Sequence, residues 1–355
     1  MPEYPHREES MLRCTAALLL LVAGAALAAD PATLASGPTT GAVVVVHGGV
    51  GSPPDWSPDC QDAASRGAAV LDGAGASALD AACAAVVHLE DICRFNAGTG
   101  ANVRLDGKTV QMDAAVMTSA GDFAAVAALE RVTNPVLVAR EVLATPHRLL
   151  AGEGATRFAH ARGFADELPY CDESLRKARE RIAKLLAGEA GGGYDGFDWR
   201  AAWNYPNAAP EPGDLSPGAD EGPPGAPSTP RREDPVDTVG AVARTADGGF
   251  AAALSTGGTS ITLYGRVGDV PIYGCGCYAG PAGAVACTGF GEEIIRHAMA
   301  RLVYERMADG DTAREAVIRG CEVFGEQWSL GVIAVGPVDW AVAANREMAW
   351  GQASP

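Results

Sequence analysis

Three observations predict an α+β fold. Short β-rich apolar runs stand near both ends of the chain, at 42–46, 331–335 and 340–343. Stretches of helical spacing lie between them, at 77–90, 293–307 and 313–324. A second alternating region begins at Thr238, so strands fall in groups with helices after each group, an order that suits two sheets flanked by helices.

Residues 1–28 read as an export signal. His6, Arg7 and Arg13 precede an apolar run at 16–28 that ends in Ala26-Leu27-Ala28. That run is shorter than the roughly 20 residues a membrane span needs, so a removed signal and a secreted or periplasmic location are expected, with no membrane contact afterwards. The run 42–46 suits a buried central strand ending in a tight turn at His47-Gly48-Gly49. Ser77 caps the helix that runs to Glu90. Residues 102–112 alternate about Asp106-Gly107 and read as a hairpin. Segments 122–129 and 135–143 read as helices, the second opened by Asn134-Pro135. The charged run 176–184 is the solvated face of another helix. From 188 to 235 prolines, glycines and acidic residues replace any periodicity, the composition of a flexible linker. Beyond it Thr238 heads a strand that Asp247-Gly248-Gly249 turns back into 250–254.

With 355 residues, 48% of them hydrophobic, the chain can bury a large core. A net charge of −17 without a basic face excludes a nucleic-acid partner. Of the nine cysteines, Cys14 leaves with the signal and eight remain, an even number that permits disulfides in an exported protein. Cys275-Gly276-Cys277 is not a metal-binding CxxC pair, and no histidine cluster accompanies it.

The chemistry centres on Asp237-Thr238. A threonine hydroxyl is a poor nucleophile without a base, and cleavage before Thr238 would supply one as the residue's own α-amine, with a pKa near ~8. Three polar clusters follow, Leu254-Ser255-Thr256-Gly257-Gly258, Tyr264-Gly265-Arg266-Val267-Gly268-Asp269 and Cys287-Thr288-Gly289-Phe290-Gly291-Glu292. Together with Val46-His47-Gly48-Gly49, Phe95-Asn96-Ala97-Gly98, Met112-Asp113-Ala114, Arg131-Val132-Thr133-Asn134-Pro135 and Gly152-Glu153-Gly154-Ala155, they resemble the isoaspartyl peptidase, plant-type asparaginase and glycosylasparaginase family of N-terminal nucleophile hydrolases.

The resemblance implies a four-layer αββα sandwich, with one catalytic domain over 29–355 cut into an α-chain (29–237) and a β-chain (238–355). It implies Thr238 as nucleophile, Thr256 as the hydroxyl that contacts it, and Thr288 with Gly289 as an oxyanion hole. Asn96 becomes a supporting hydrogen-bonding group. Arg266 and Asp269, with Gly291 beside them, would hold a substrate's α-carboxylate and α-ammonium, roles that a guanidinium fork and a carboxylate suit. Backbone carbonyls of Leu89, Glu90, Phe95 and Ala97 would wrap a structural sodium ion. No organic cofactor, a small-molecule or dipeptide substrate and an (αβ)₂ dimer are further expectations. The chain departs from the family pattern at Val236, Val270 and Phe290, the last at the pocket mouth where relatives often carry a polar residue. Glycosylasparaginase activity, and a non-cleaving amino-acid-binding relative, stay open as alternatives.

Overall fold

The computed structural model describes residues 33–39, 41–73, 75–189, 196–211, 238–325 and 327–355. The signal segment, Asp237, Val236 and most of the 188–235 stretch lie outside the described residues. Strands β1 (Thr33–Pro38) and β2 (Val43–Val50) precede helices α1 (Ser57–Leu71) and α2 (Ala78–Glu90). Then come β3 (Met112–Thr118), β4 (Phe123–Leu129), α3 (Pro135–Val142), β5 (Leu149–Ala151), α4 (Gly152–Ala161) and α5 (Asp172–Leu186). Past the linker run β6 (Val239–Arg244), β7 (Phe250–Thr256), β8 (Cys277–Gly280) and β9 (Gly283–Gly289). Helices α6 (Gly291–His297), α7 (Met299–Ala308) and α8 (Ala313–Val323) lead into β10 (Leu330–Val335), β11 (Asp339–Ala344) and β12 (Met348–Ala353).

The strands form two sheets in a mixed α+β arrangement, one in the order β12-β2-β6-β7-β3-β4-β5 and one in the order β1-β11-β10-β9-β8. Every pairing is antiparallel except β4 with β5. Strand β2 shows how the core is divided. Val43 and Val45 pack with residues of the other sheet, such as Ile333 and Val342, while Val44 and Val46 pack with Leu79, Cys83 and Val86 of α2. Both faces are apolar, so the run reads as continuous valine although its side chains alternate. On the smaller sheet, Val332 and Ala343 face Val303 of α7 and Val317 of α8. Each Val or Leu so buried contributes about 1.5–3 kcal/mol.

Four sequence expectations are corrected. Residues 122–129 form strand β4, not a helix. The run Phe123-Ala-Ala-Val-Ala-Ala-Leu129 is buried throughout, so no period separates helix from strand, and pairing with β3 overrides the helix preference of alanine. The single helix expected at 293–307 is broken at Ala298, which has φ 46°. The break lets the first amides of α7 bond outside the helix, Ala300 N–H to Cys275 O at 3.1 Å and Arg301 N–H to Gly274 O at 2.9 Å. Residues 102–111 turn at Asp106-Gly107, where Asp106 accepts from the Lys108 and Thr109 amides, but they build no strand ladder. One main-chain bond crosses the turn, Arg104 N–H to Thr109 O at 2.8 Å, and the other bonds go to 261–262, Leu105 N–H to Thr262 O and Ile261 N–H to Val103 O. The part of the expected linker at 196–211 is folded onto the body, because Trp199 and Tyr205 bury their rings against Leu105, Ile182 and Ile261.

Cys93 and Cys171 form a disulfide that ties the loop after α2 to the start of α5. The other described cysteines are buried thiols, those of Cys83, Cys277 and Cys321 pushed up by burial to about 12. Among the described residues no helix is long and apolar enough to cross a membrane.

Candidate active site

Thr238 immediately precedes β6, and the antiparallel register explains what it faces. Val239 pairs with Ser255, so the next pair outward sets Thr238 opposite Thr256. Thr238 Oγ1 donates to Thr256 Oγ1 at 3.3 Å, in a place where both residues are buried. Thr256 Oγ1 also accepts from Gly258 N–H at 2.9 Å, which fixes its rotamer. A hydroxyl both donates and accepts, so this pair can hold an attacking oxygen in place without adding charge beside it.

The two threonines line a small cleft with Gly258, Thr259, Arg266, Gly268, Asp269 and Gly289. Thr238, Thr256, Arg266, Asp269 and Gly289, all singled out in the sequence, therefore meet in one place. Gly289 closes β9 with φ 147°, and a Cβ there would fall 2.1 Å from Ser329 O. Only glycine fits that backbone. Thr288 lies beside the cleft and does not line it; its hydroxyl accepts from Val50 N–H at 3.3 Å. Gly291 sits against the charged wall, where a Cβ would approach Arg266 Nη2 and Asp269 Oδ1 to 3.0 Å. Asn96 stands behind the floor. Its amide donates to Gly258 O at 2.8 Å, its Oδ1 accepts from Asn102 N–H at 2.8 Å, and its main-chain O accepts from Gly257 N–H at 2.9 Å.

Charge is concentrated on one wall. Burial raises the Asp269 carboxyl to about 7, against the smaller opposing pull of its own backbone and of Arg266. Among the described residues its Oδ2 has no hydrogen-bond partner, an arrangement that suits a visiting cation. Arg266 is engaged by Glu292, its Nε and Nη2 donating to the two carboxylate oxygens at 3.0–3.2 Å. His47 is buried, and burial lowers it to about 3, partly offset by the nearby Thr238 backbone. Neither of its ring nitrogens makes a hydrogen bond of good geometry. Its ring packs on Gly240, where a Cβ would lie 2.5 Å from Nε2, and burial favours its neutral form.

Sequence reasoning missed several residues around the site. Glu292 closes a motif quoted above, Thr259 directly follows another, and the buried Arg104 is signalled by nothing more than its place in an apolar segment. The Leu89–Ala97 loop gathers main-chain oxygens: a Cβ at Gly98 would lie 2.5 Å from Glu90 O, and one at Gly100 would lie 2.1 Å from Phe95 O and 2.6 Å from Cys93 O. The Glu90 side chain points elsewhere, accepting from Val136 N–H at 3.0 Å and Asn134 Nδ2 at 3.2 Å. Burial raises it to about 8, and the Ser255 hydroxyl lies near enough to favour its charge although no well-shaped hydrogen bond joins them.

Paired hydroxyls at a strand head, beside a wall of one arginine and one buried carboxylate, define a threonine-centred pocket on an α+β scaffold. Residues 40–354 match the asparaginase family. The chain is 37% identical over 265 residues to the plant-type L-asparaginase of Pyrococcus horikoshii, covering 73% of this chain and 77% of that protein. It is 38% identical over 284 residues to the isoaspartyl peptidase/L-asparaginase of Danio rerio, covering 77% and 78%. It is 36% identical over 305 residues to the isoaspartyl peptidase of Escherichia coli, covering 79% and 80%. The protein belongs to the asparaginase family.

Proposed function

We propose that the protein is an amidohydrolase of the isoaspartyl peptidase/L-asparaginase kind, activated by its own cleavage before Thr238. The observation that carries the reading is the Thr238 hydroxyl, buried at a strand head 3.3 Å from Thr256 and sharing a cleft with Arg266 and Asp269. In the precursor Thr238 Oγ1 attacks the Asp237 carbonyl carbon, the C–N bond breaks, and an ester results. Water hydrolyses that ester and leaves a carboxylate on Asp237 and an amine on Thr238. In the mature enzyme that amine accepts the hydroxyl proton as Oγ1 attacks the β-amide, then passes it to the departing nitrogen. Water frees the aspartyl group from Thr238. The Gly289 amide stabilises the oxyanion in each step, and the Thr288 hydroxyl, which lies beside the cleft, is the second donor that the family resemblance implies.

Recognition is of a zwitterion. Arg266 receives the α-carboxylate, which takes the place of Glu292 in its fork, and Asp269 receives the α-ammonium, with Gly291 leaving room for both. The order of the cores, helices outside each of two facing sheets, supports the four-layer αββα form. Main-chain oxygens of Glu90, Cys93 and Phe95 crowd Gly98 and Gly100, and such carbonyl donors suit a hard cation; sodium is the structural ion proposed there, with no chemical step assigned to it. Export and an (αβ)₂ assembly complete the reading.

A denaturing gel with intact-mass measurement tests the cut: fragments meeting between Asp237 and Thr238 are expected. Assays with L-asparagine, a β-aspartyl dipeptide and glycosylated asparagine then test the substrate. Hydrolysis of the first two is expected; turnover of the glycosylated compound alone would favour glycosylasparaginase. A single uncut chain that binds aspartate and hydrolyses nothing would make it a binding protein.

A further inference from the structure

Phe197, Trp199, Trp203 and Tyr205 crowd into a short stretch of the region whose composition reads as linker. Aromatic residues are scarce in segments that stay solvated, because their burial favours docking. The rings form a chain, Trp199 to Trp203 at 6.2 Å, Trp203 to Tyr205 at 4.8 Å and Tyr205 to Tyr264 at 5.6 Å. Tyr264 precedes Arg266 by two residues in a loop without strand partners. Main-chain polar groups in such a loop need other partners.

Side chains supply them. Gln111 Oε1 accepts from Gly265 N–H at 2.7 Å, Arg104 Nη2 donates to Arg266 O at 3.2 Å, and Asp113 Oδ2 accepts from Gly268 N–H at 3.1 Å. Asn204 clasps both main-chain groups of Tyr264, donating to its O at 2.9 Å and accepting from its N–H at 3.1 Å. Tyr205 Oη donates to Thr262 O at 2.5 Å and accepts from Leu105 N–H at 3.2 Å.

We infer that residues 197–209 form a strap whose Asn204 and Tyr205 are positioning residues for Arg266, setting where its guanidinium meets the substrate's α-carboxylate. The inference rests on the amidohydrolase reading for what Arg266 binds. The strap lies upstream of Thr238, so cleavage leaves it on the amino-terminal fragment. It then braces the substrate-binding loop of the other fragment through non-covalent contacts. A stretch that composition marks as spacer thus takes part in substrate affinity.

The test uses the full-length, matured protein. KM and kcat are measured on a β-aspartyl dipeptide, and affinity for the product L-aspartate by calorimetry. Asn204→Ala is expected to raise KM and weaken L-aspartate binding about five- to tenfold, as two lost hydrogen bonds would, with kcat held within about twofold. In an Arg266→Ala background the same substitution adds nothing, because the group it positions is gone. Tyr205→Phe shifts KM in the same direction and also lowers the melting temperature, since Leu105 N–H loses its partner. Asn207→Ala, in the strap but with a side chain outside these contacts, leaves KM unchanged. Unchanged KM in Asn204→Ala, a fall in kcat or stability alone, or full additivity with Arg266→Ala overturns the strap while leaving the amidohydrolase reading intact. A wild type that neither hydrolyses β-amides nor binds L-aspartate overturns that reading, and this role with it.

Discussion

The floor and the wall of the cleft are built by different means. Thr238, Thr256 and Gly289 sit at the ends of β6, β7 and β9, where main-chain ladders place them. Arg266 and Asp269 sit on a loop held by side chains reaching in from Arg104, Gln111, Asp113 and Asn204. Ladders tolerate little displacement, which suits a nucleophile that must meet a carbonyl within a few tenths of an ångström. A loop held at several points can admit and release a ligand. The floor should therefore govern turnover, and the wall affinity.

The largest expected effect breaks the floor. Thr238→Ala should stay a single uncut chain on a denaturing gel and lose at least about 10⁴-fold in kcat, as removal of a nucleophile does. Appearance of both fragments in that variant would move the cut elsewhere. The wall comes next: Arg266→Ala should raise KM on L-asparagine by about 10- to 100-fold while the gel still shows cleavage, the loss expected for a charge-assisted fork.

The pH dependence separates the two regions further. Asp269, raised by burial to about 7, must be ionised to hold an ammonium, so 1/KM should climb as pH rises from 6 to 8 and level off above. Asp269→Asn should remove that inflection, and an inflection near 7 that survives would assign it to another group. The same carboxyl keeps in the fold a proton that the unfolded chain has released. Its contribution to stability therefore declines as pH rises from the ordinary 3.8 to about 7, and Asp269→Asn should flatten that part of a melting-temperature profile. The smallest effect sharpens the comparison. Glu292, half-exposed in the Arg266 fork, competes with the substrate, so Glu292→Gln should lower KM about two- to threefold with kcat unchanged, the scale of a solvent-screened ion pair.

Legibility also divides along these lines. Strands β2, β6 and β7 and helices α2, α3 and α8 stood out because alternation, a serine cap, Asn134-Pro135 and a Gly-rich turn are local signals. Strand β4 did not, since a run of alanines buried on both faces carries no period. Helix α1 and strand β12 carried no pattern strong enough to be read, and the break at Ala298 comes from contacts with 274–275 that are remote in sequence. The motifs placed Arg266 and Asp269 near Thr238, while Glu292 in the fork and Asn204 under the loop came to light only in three dimensions.

Residue order by itself determined which hydroxyls and charges were present, where a strand could begin with threonine, and that the fold mixes helices with sheets. Those are properties of neighbours along the chain, set by turn chemistry and side-chain period. The tertiary structure decided that Asp269 lies buried with a bare oxygen, that Arg266 already holds a carboxylate, and that an aromatic stretch of supposed linker docks beneath the binding loop. These depend on desolvation and on contacts between residues far apart in sequence, and no local pattern records either.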